Sequence, residues 1–224
     1  MKEFWQGFRA VVPLWMGMIP FGLAYAVTAR SAQLSMLETQ LMSTIVFSGS
    51  AQFSAAGLFL TGTSGLAIVA TTFVINVRHL LYSLSLGQRM NLTPLQRVLG
   101  AYLLTDEAFG VTVASGKTTF SYLLGAELSV FVSWNLSTLA GILLSETVPD
   151  PVALGVDFIF PLAFLALIIP LLKKRLDVFI AVVSGATAFL LANVLEVNSG
   201  LTILLVGVLG SLLGAILLTR KETS

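Results

Sequence analysis

The chain has no cysteine, a single histidine and few charges, 10% of residues against about a quarter in an average soluble domain. Without cysteine there is no disulfide, no thiolate metal site and no thiol nucleophile. One histidine, with no carboxylate at ligand spacing and no HExxH around it, leaves no zinc site. A net charge of +1 offers no basic surface to a nucleic acid. Polar helix faces are scarce, which argues against a soluble bundle, and dyad alternation is absent, which argues against a membrane barrel. No cofactor, no metal and no catalytic residue is expected.

What the chain does have is apolar length. Mean hydropathy is +0.94 and 56% of the 224 residues are hydrophobic. Runs near the roughly 20 residues needed to cross a bilayer recur from end to end. The fold class predicted is an all-α polytopic membrane protein, one transmembrane domain over 1–224, surrounded by lipid. Apolar runs place about eight spans, with seven as the alternative, at 11–29, 38–60, 66–87, 97–115, 121–144, 153–172, 177–195 and 201–219. The first run lacks a small-residue cleavage site and reads as a span rather than a signal peptide. With eight spans both termini share a face that holds Lys2, Arg9, Lys117, Lys173, Lys174, Arg175, Arg220 and Lys221. The positive-inside bias then makes that face cytoplasmic. Arg89 and Arg97, which fall on the other face with Arg30, run against the assignment.

Two short matches recur in the same order. "FSGSAQF" at 47–53 resembles "VSGATAF" at 183–189, and "TSGLAIV" at 63–69 resembles "NSGLTIL" at 198–204. They suggest a weak repeat of 11–90 in 153–219, inverted under the eight-span count, as in many secondary transporters.

Polar residues inside the apolar runs mark the candidate site. Ser48–Gly49 and Ser184–Gly185 interrupt two spans at matching places, and such interruptions point to a transporter's binding site; close packing through small residues is the competing explanation. Gln52 adds an amide that must find a partner in an apolar span. Pro20 kinks the first span between Phe21, Gly22 and Gly17. Asn76, Arg78 and His79 sit within "FVINVRHLLYSLSL", and Asp106 and Glu107 within "LLTDEAFGV". A charge at mid-bilayer costs roughly 3 kcal/mol on insertion scales, so Arg78 should pair with Asp106 or Glu107. His79, titrating near neutrality, or the unpaired carboxylate would carry a proton.

"IPFGLAYAV", "MSTIVFSGSAQFSAAGL", "FVINVRHLLYSLSL" and "LLTDEAFGV" together resemble the AzlC family of branched-chain amino acid permeases, and the likeness covers most of the chain. The matching positions are Pro20, Phe21, Gly22, Ser48, Gly49, Gln52, Asn76, Arg78, His79, Asp106 and Glu107. The resemblance implies a multi-pass carrier in the cell inner membrane exporting branched-chain amino acids, with leucine, isoleucine, valine or methionine as substrate. It also implies a small AzlD-like membrane subunit as partner. On this reading substrate lies between the repeat halves, held by Ser48–Gly49 and Ser184–Gly185, with Phe21 and Phe53 against its side chain. Arg78, His79, Asp106 and Glu107 form the proton-coupling or charge network. An uncoupled channel or uniporter, and a non-transporting scaffold subunit, are the alternatives.

Overall fold

The computed structural model describes residues 1–147, 169, 172–197 and 199–222. The crossing expected at 153–172, which Pro161 and Pro170 bracket in the sequence, lies outside these residues but for Ile169 and Leu172. Every described element is helical, as an apolar chain without water requires, since a helix satisfies its backbone internally. The elements are α1 (Lys2–Val11), a short 3-10 turn at Val12–Leu14, α2 (Trp15–Ser31), α3 (Met36–Leu41), a π turn at Met42–Val46 and α4 (Gly49–Leu60). They continue as α5 (Gly65–Gly87), α6 (Pro94–Leu103), α7 (Asp106–Ser115), α8 (Phe120–Thr147), α9 (Arg175–Asn193) and α10 (Ser199–Glu222). Among the described residues, four stretches are long and apolar enough to cross a membrane: Lys2–Ser31, Gly65–Gly87, Phe120–Ser145 and Arg175–Asn193. The chain is thus an all-α multi-pass membrane protein.

The α1–α2 rod and α8 run side by side in the same direction, with backbones almost touching. A Cβ on Gly7 would stand 2.0 Å from the Tyr122 carbonyl oxygen, and one on Gly125 2.0 Å from that of Phe4. Further along, Gly22 meets Ser137, and Gly141 meets Leu23 and Ala26. Small residues let the helices approach, and packing rather than hydrophobicity holds helices together in lipid. α5 runs the other way: Leu86 and Met90 cluster with Leu123 near the start of α8, while Ile68 clusters with Ala55 and Leu58. Lys2, Gly87 and Phe120 therefore mark one end of the bundle, and Ser31, Gly65 and Thr147 the other.

The segments 38–60 and 97–115 are not the continuous crossings expected from their hydropathy. Each is a helical hairpin that enters the bundle, breaks and returns to the end it came from. In the first, Ser43 meets Gln52 and Met42 packs against the cluster of Ala55 and Leu58. These residues would be roughly 13–24 Å apart along one helix. In the second, Gly100 lies against Phe120 and Leu123, so α6 enters from the end at which α8 begins. Leu86 and Val113 share a cluster there too.

The local sequence explains both folds in the same terms. Each hairpin opens on a capping box, Ser35 with Glu38 and Thr93 with Gln96. Each breaks at an extended hydroxyl residue, Ser48 (φ −144°, ψ 103°) or Thr105 (φ −128°, ψ 170°). Each second arm ends at a left-handed glycine, Gly62 (φ 66°) or Gly116 (φ 67°), where any side chain would be strained. Hydropathy alone could not reveal this, because two short apolar helices in series have the composition of one long one.

A long helix followed by a hairpin thus occurs twice, in opposite senses: α1–α2 with 36–60, then α5 with 94–115. The arrangement places Arg89, Arg97 and Lys117 at the same end as Lys2 and Arg9, leaving Arg30 opposite. The charges that conflicted with a continuous-span topology now agree with the positive-inside bias. Single cysteines, clean in a chain that has none, check the topology. M36C and T61C should react with an impermeant maleimide from one membrane face, and N91C and K117C from the other. Continuous crossings would instead put 36 and 61 on opposite faces, and likewise 91 and 117.

Candidate functional site

The two hairpin tips come from opposite ends of the bundle and meet at the middle of α5. Arg78 joins them. Its Nη2 lies 2.9 Å from Asp106 Oδ2 at the start of α7 and donates to Ser50 Oγ, 2.5 Å away, in the first turn of α4. One turn-fraction back on α5, Asn76 Oδ1 accepts from Ser48 Oγ at 2.7 Å. The Tyr102 hydroxyl, near the second tip, donates to the Thr44 carbonyl near the first. Tyr82 stacks on Phe109 with centroids 4.4 Å apart, and His79 tilts against Tyr82 at 5.9 Å.

Each tip turns on an extended Ser or Thr that opens a helix, and their electrostatics are opposite. A helix N-terminus presents unsatisfied N–H groups and a partial positive charge. At α7, Thr105 Oγ1 accepts from Ala108 N, and Asp106 and Glu107 supply negative charge in the first turn. At α4 no acid is present, and Ser48 makes no cap because its hydroxyl is turned to Asn76. The α4 terminus is left positive, next to Arg78. Gly49 lets the indole of Trp134 close behind it, 3.0 Å from where a Cβ would be.

The ion pair is not sealed. Side-chain exposure is 34% for Arg78 and 40% for Asp106, although Arg78 Nε and Asp106 Oδ1 are buried without a hydrogen-bond partner. A site with one cationic and one anionic face, partly open, suits a small zwitterion.

The other residues expected to take part fall into four groups. Gln52 is fully buried and satisfied, donating to Ser43 Oγ at 2.8 Å and accepting from Trp134 Nε1 at 3.1 Å, which locks α4 to α8. Phe21 and Phe53 meet edge to face at 6.2 Å, and Phe53 also meets Tyr25 at 5.9 Å, forming an aromatic wall behind the first tip. Gly22 packs on Ser137 while Pro20 faces outward within α2. Ser184 faces Gly210 in the α9–α10 pair, 2.7 Å from where its Cβ would be, beside a cavity of ≈ 230 Å³ between those helices; Gly185 has open space around it. Ser50, Thr105 and Trp134 were not among the expected residues. The shared Ser/Thr-x-x-Ala pattern at 48–51 and 105–108 was the available signal for the first two.

The architecture defines a class: a helical membrane protein with a polar, charge-paired junction of broken helices at mid-depth. The sequence profile described as AzlC protein matches residues 13–148, which contain both hairpins together with α2, α5 and α8. The chain belongs to the AzlC family. It is 33% identical over 199 residues to an uncharacterized membrane protein of Archaeoglobus fulgidus, covering 87% of this chain and 88% of that one. It is 27% identical to the inner membrane protein YgaZ of Escherichia coli, over 83% and 80% of the two chains. The branched-chain amino acid transport protein AzlC of Bacillus subtilis is 26% identical over 49% of this chain and 45% of its own. No solved structure matches.

Pairing of Arg78 with Asp106 rather than Glu107 has a direct check. R78E should lower the yield and melting temperature of detergent-purified protein, by an amount on the order of 2 kcal/mol for a half-exposed pair. Adding D106R should restore most of the loss, and adding E107R should not.

Proposed function

We propose that the protein is a secondary transporter of the inner membrane that exports branched-chain amino acids, coupled to protons and working with a small AzlD-like membrane subunit. The observation that carries the proposal is the meeting of two helix N-termini, one bare and one acidic, on either side of Arg78. The family, and the name of the Bacillus subtilis relative as a branched-chain amino acid transport protein, supply the substrate class.

The chemistry follows from the site. A substrate carboxylate is received by the first N–H groups of α4, at Gly49, Ser50 and Ala51, with Arg78 adding full positive charge. The substrate ammonium is received by the half-exposed carboxylate of Asp106 and by Glu107. Asn76 holds Ser48 away from the α4 terminus, so the amides stay available. The aliphatic side chain has only apolar and aromatic neighbours, including the wall built on Phe21 and Phe53, and these reject polar amino acids by leaving their groups unpaired. Hairpins entering from opposite faces give each face its own gate to one central site, the requirement for alternating access. His79, beside the ion pair, takes a proton when substrate leaves.

Proteoliposomes test this. Purified protein, with and without the small subunit, should exchange internal for external leucine, isoleucine or valine and should accumulate them against their gradient when a pH difference is imposed. D106N should lower exchange about a hundredfold while inserting normally, since it removes the anionic half of the site. Exchange without pH-driven accumulation would identify a uniporter or channel. No flux in either preparation would identify a scaffold.

A further inference from the structure

The charge network at the hairpin tips does not use every intramembrane acid. Glu127 lies on α8, in "LLGAELSVF", about 10 Å along the helix from its start. It is fully buried, and neither carboxylate oxygen has a hydrogen-bond partner. Its surroundings are apolar, with Gly100 of the second hairpin on one side and Phe120 and Leu123 of α8 itself beside it: a Cβ on Gly100 would stand 3.7 Å from Glu127 Oε1, 3.5 Å from Phe120 and 3.8 Å from Leu123. Gly100 has no side chain there, and the carboxyl group occupies the room this leaves between α6 and α8.

Among the described residues no charge answers it. On α1, Lys2 and Arg9 are exposed and Glu3 is half-buried; on α6, Arg97 is exposed. On α7, Asp106 is held by Arg78, and Glu107 is half-buried in the first turn. On α2, Arg30 donates to the Leu34 carbonyl and Tyr25 to that of Thr39, and on α3, Glu38 caps Ser35. Lys117, in the turn before α8, is exposed, and Tyr122 on α8 itself is buried. Arg78–Asp106 is the one ion pair among the described residues.

An ionised carboxylate without partner or water is too costly to persist in such a place, whereas a neutral carboxyl group is tolerated. The cost of charging Glu127 is relieved when water reaches it, and water reaches it only if α6 leaves α8. We propose that Glu127 is a proton-binding site that controls the second hairpin: with its proton, 94–115 packs on α8 as observed, and without it the hairpin is released. The proposal rests on the transport reading, within which it makes Glu127 the group through which the pH gradient acts on one gate.

The test uses two readouts, one independent of transport. In the full-length protein carrying L104C, a buried position on the second hairpin, maleimide labelling expressed at each pH relative to the exposed K117C, which corrects for thiol ionisation, should rise with pH. With E127Q added, it should stay low at every pH, because Gln keeps the neutral form. In proteoliposomes E127Q should retain leucine exchange and lose about tenfold of its pH-driven accumulation. Labelling whose pH dependence survives E127Q, or accumulation undiminished by it, overturns the proposal. If the wild-type protein moves no branched-chain amino acid, the transport reading fails and the labelling experiment still decides the role of Glu127. Should E127Q not fold, E127D decides in its place: a displaced labelling midpoint supports the site, and an unmoved one overturns it.

Discussion

A single guanidinium holds the middle of this protein together. Arg78 is the only fixed charge on α5 between its ends, and it bonds to Ser50 on one hairpin and Asp106 on the other. Each tip has local partners as well, Ser48 with Asn76 on one and Thr105 with the Ala108 amide on the other, because a helix break in an apolar medium exposes polar groups that need them. The charge that is expensive in lipid becomes affordable because two broken helices surround it with donors and acceptors. The breaks in turn are tolerable because the charge is there.

The same dependence explains the symmetry. Two hairpins with matching landmarks, a capping box, an extended Ser or Thr and a left-handed glycine, are mounted in opposite senses on two long helices. A single central residue can serve both only if they arrive from opposite ends. The tips diverge most plainly in charge, where "SGSA" is bare and "TDEA" is acidic. That difference turns a symmetric scaffold into a polar one, able to orient a molecule with a carboxylate at one end and an ammonium at the other.

Much of this was legible in the sequence. The cost of intramembrane charge was enough to pair Arg78 with the acids at 106 and 107 and to mark Ser48–Gly49 as an interruption. The fold-back was not legible, since hydropathy counts apolar residues and is blind to whether ten of them continue or reverse. The clue lay in Arg89 and Arg97, whose placement disagreed with continuous spans. Glu127 escaped for a different reason: a lone Glu in an apolar run has no motif, and only burial without a partner distinguishes it from an acid at a helix end. Gln52 carried a strong signal that led elsewhere. An amide in an apolar span must be satisfied, and here Ser43 and Trp134 satisfy it within the core.

Asp106 and Glu127 answer to different demands. Asp106 is half-exposed and paired, so its contribution to holding the tips together is modest. A strong, sealed pair would fix both tips in one arrangement and defeat a device in which either must open. A weak central bond needs a second hold on each hairpin, placed away from the substrate. On the first hairpin that hold is the neutral network from Gln52 through Ser43 to Thr138, fully buried and insensitive to protons. On the second the corresponding contact with α8 is made at Glu127, a group whose charge state depends on its surroundings. The hairpins are alike in backbone and unlike in how they are held to α8, one by hydrogen bonds that pH does not touch and one by a carboxyl group that pH does. A symmetric pair of gates held identically would open to both faces with equal ease, and a gradient across the membrane would have nothing on which to act.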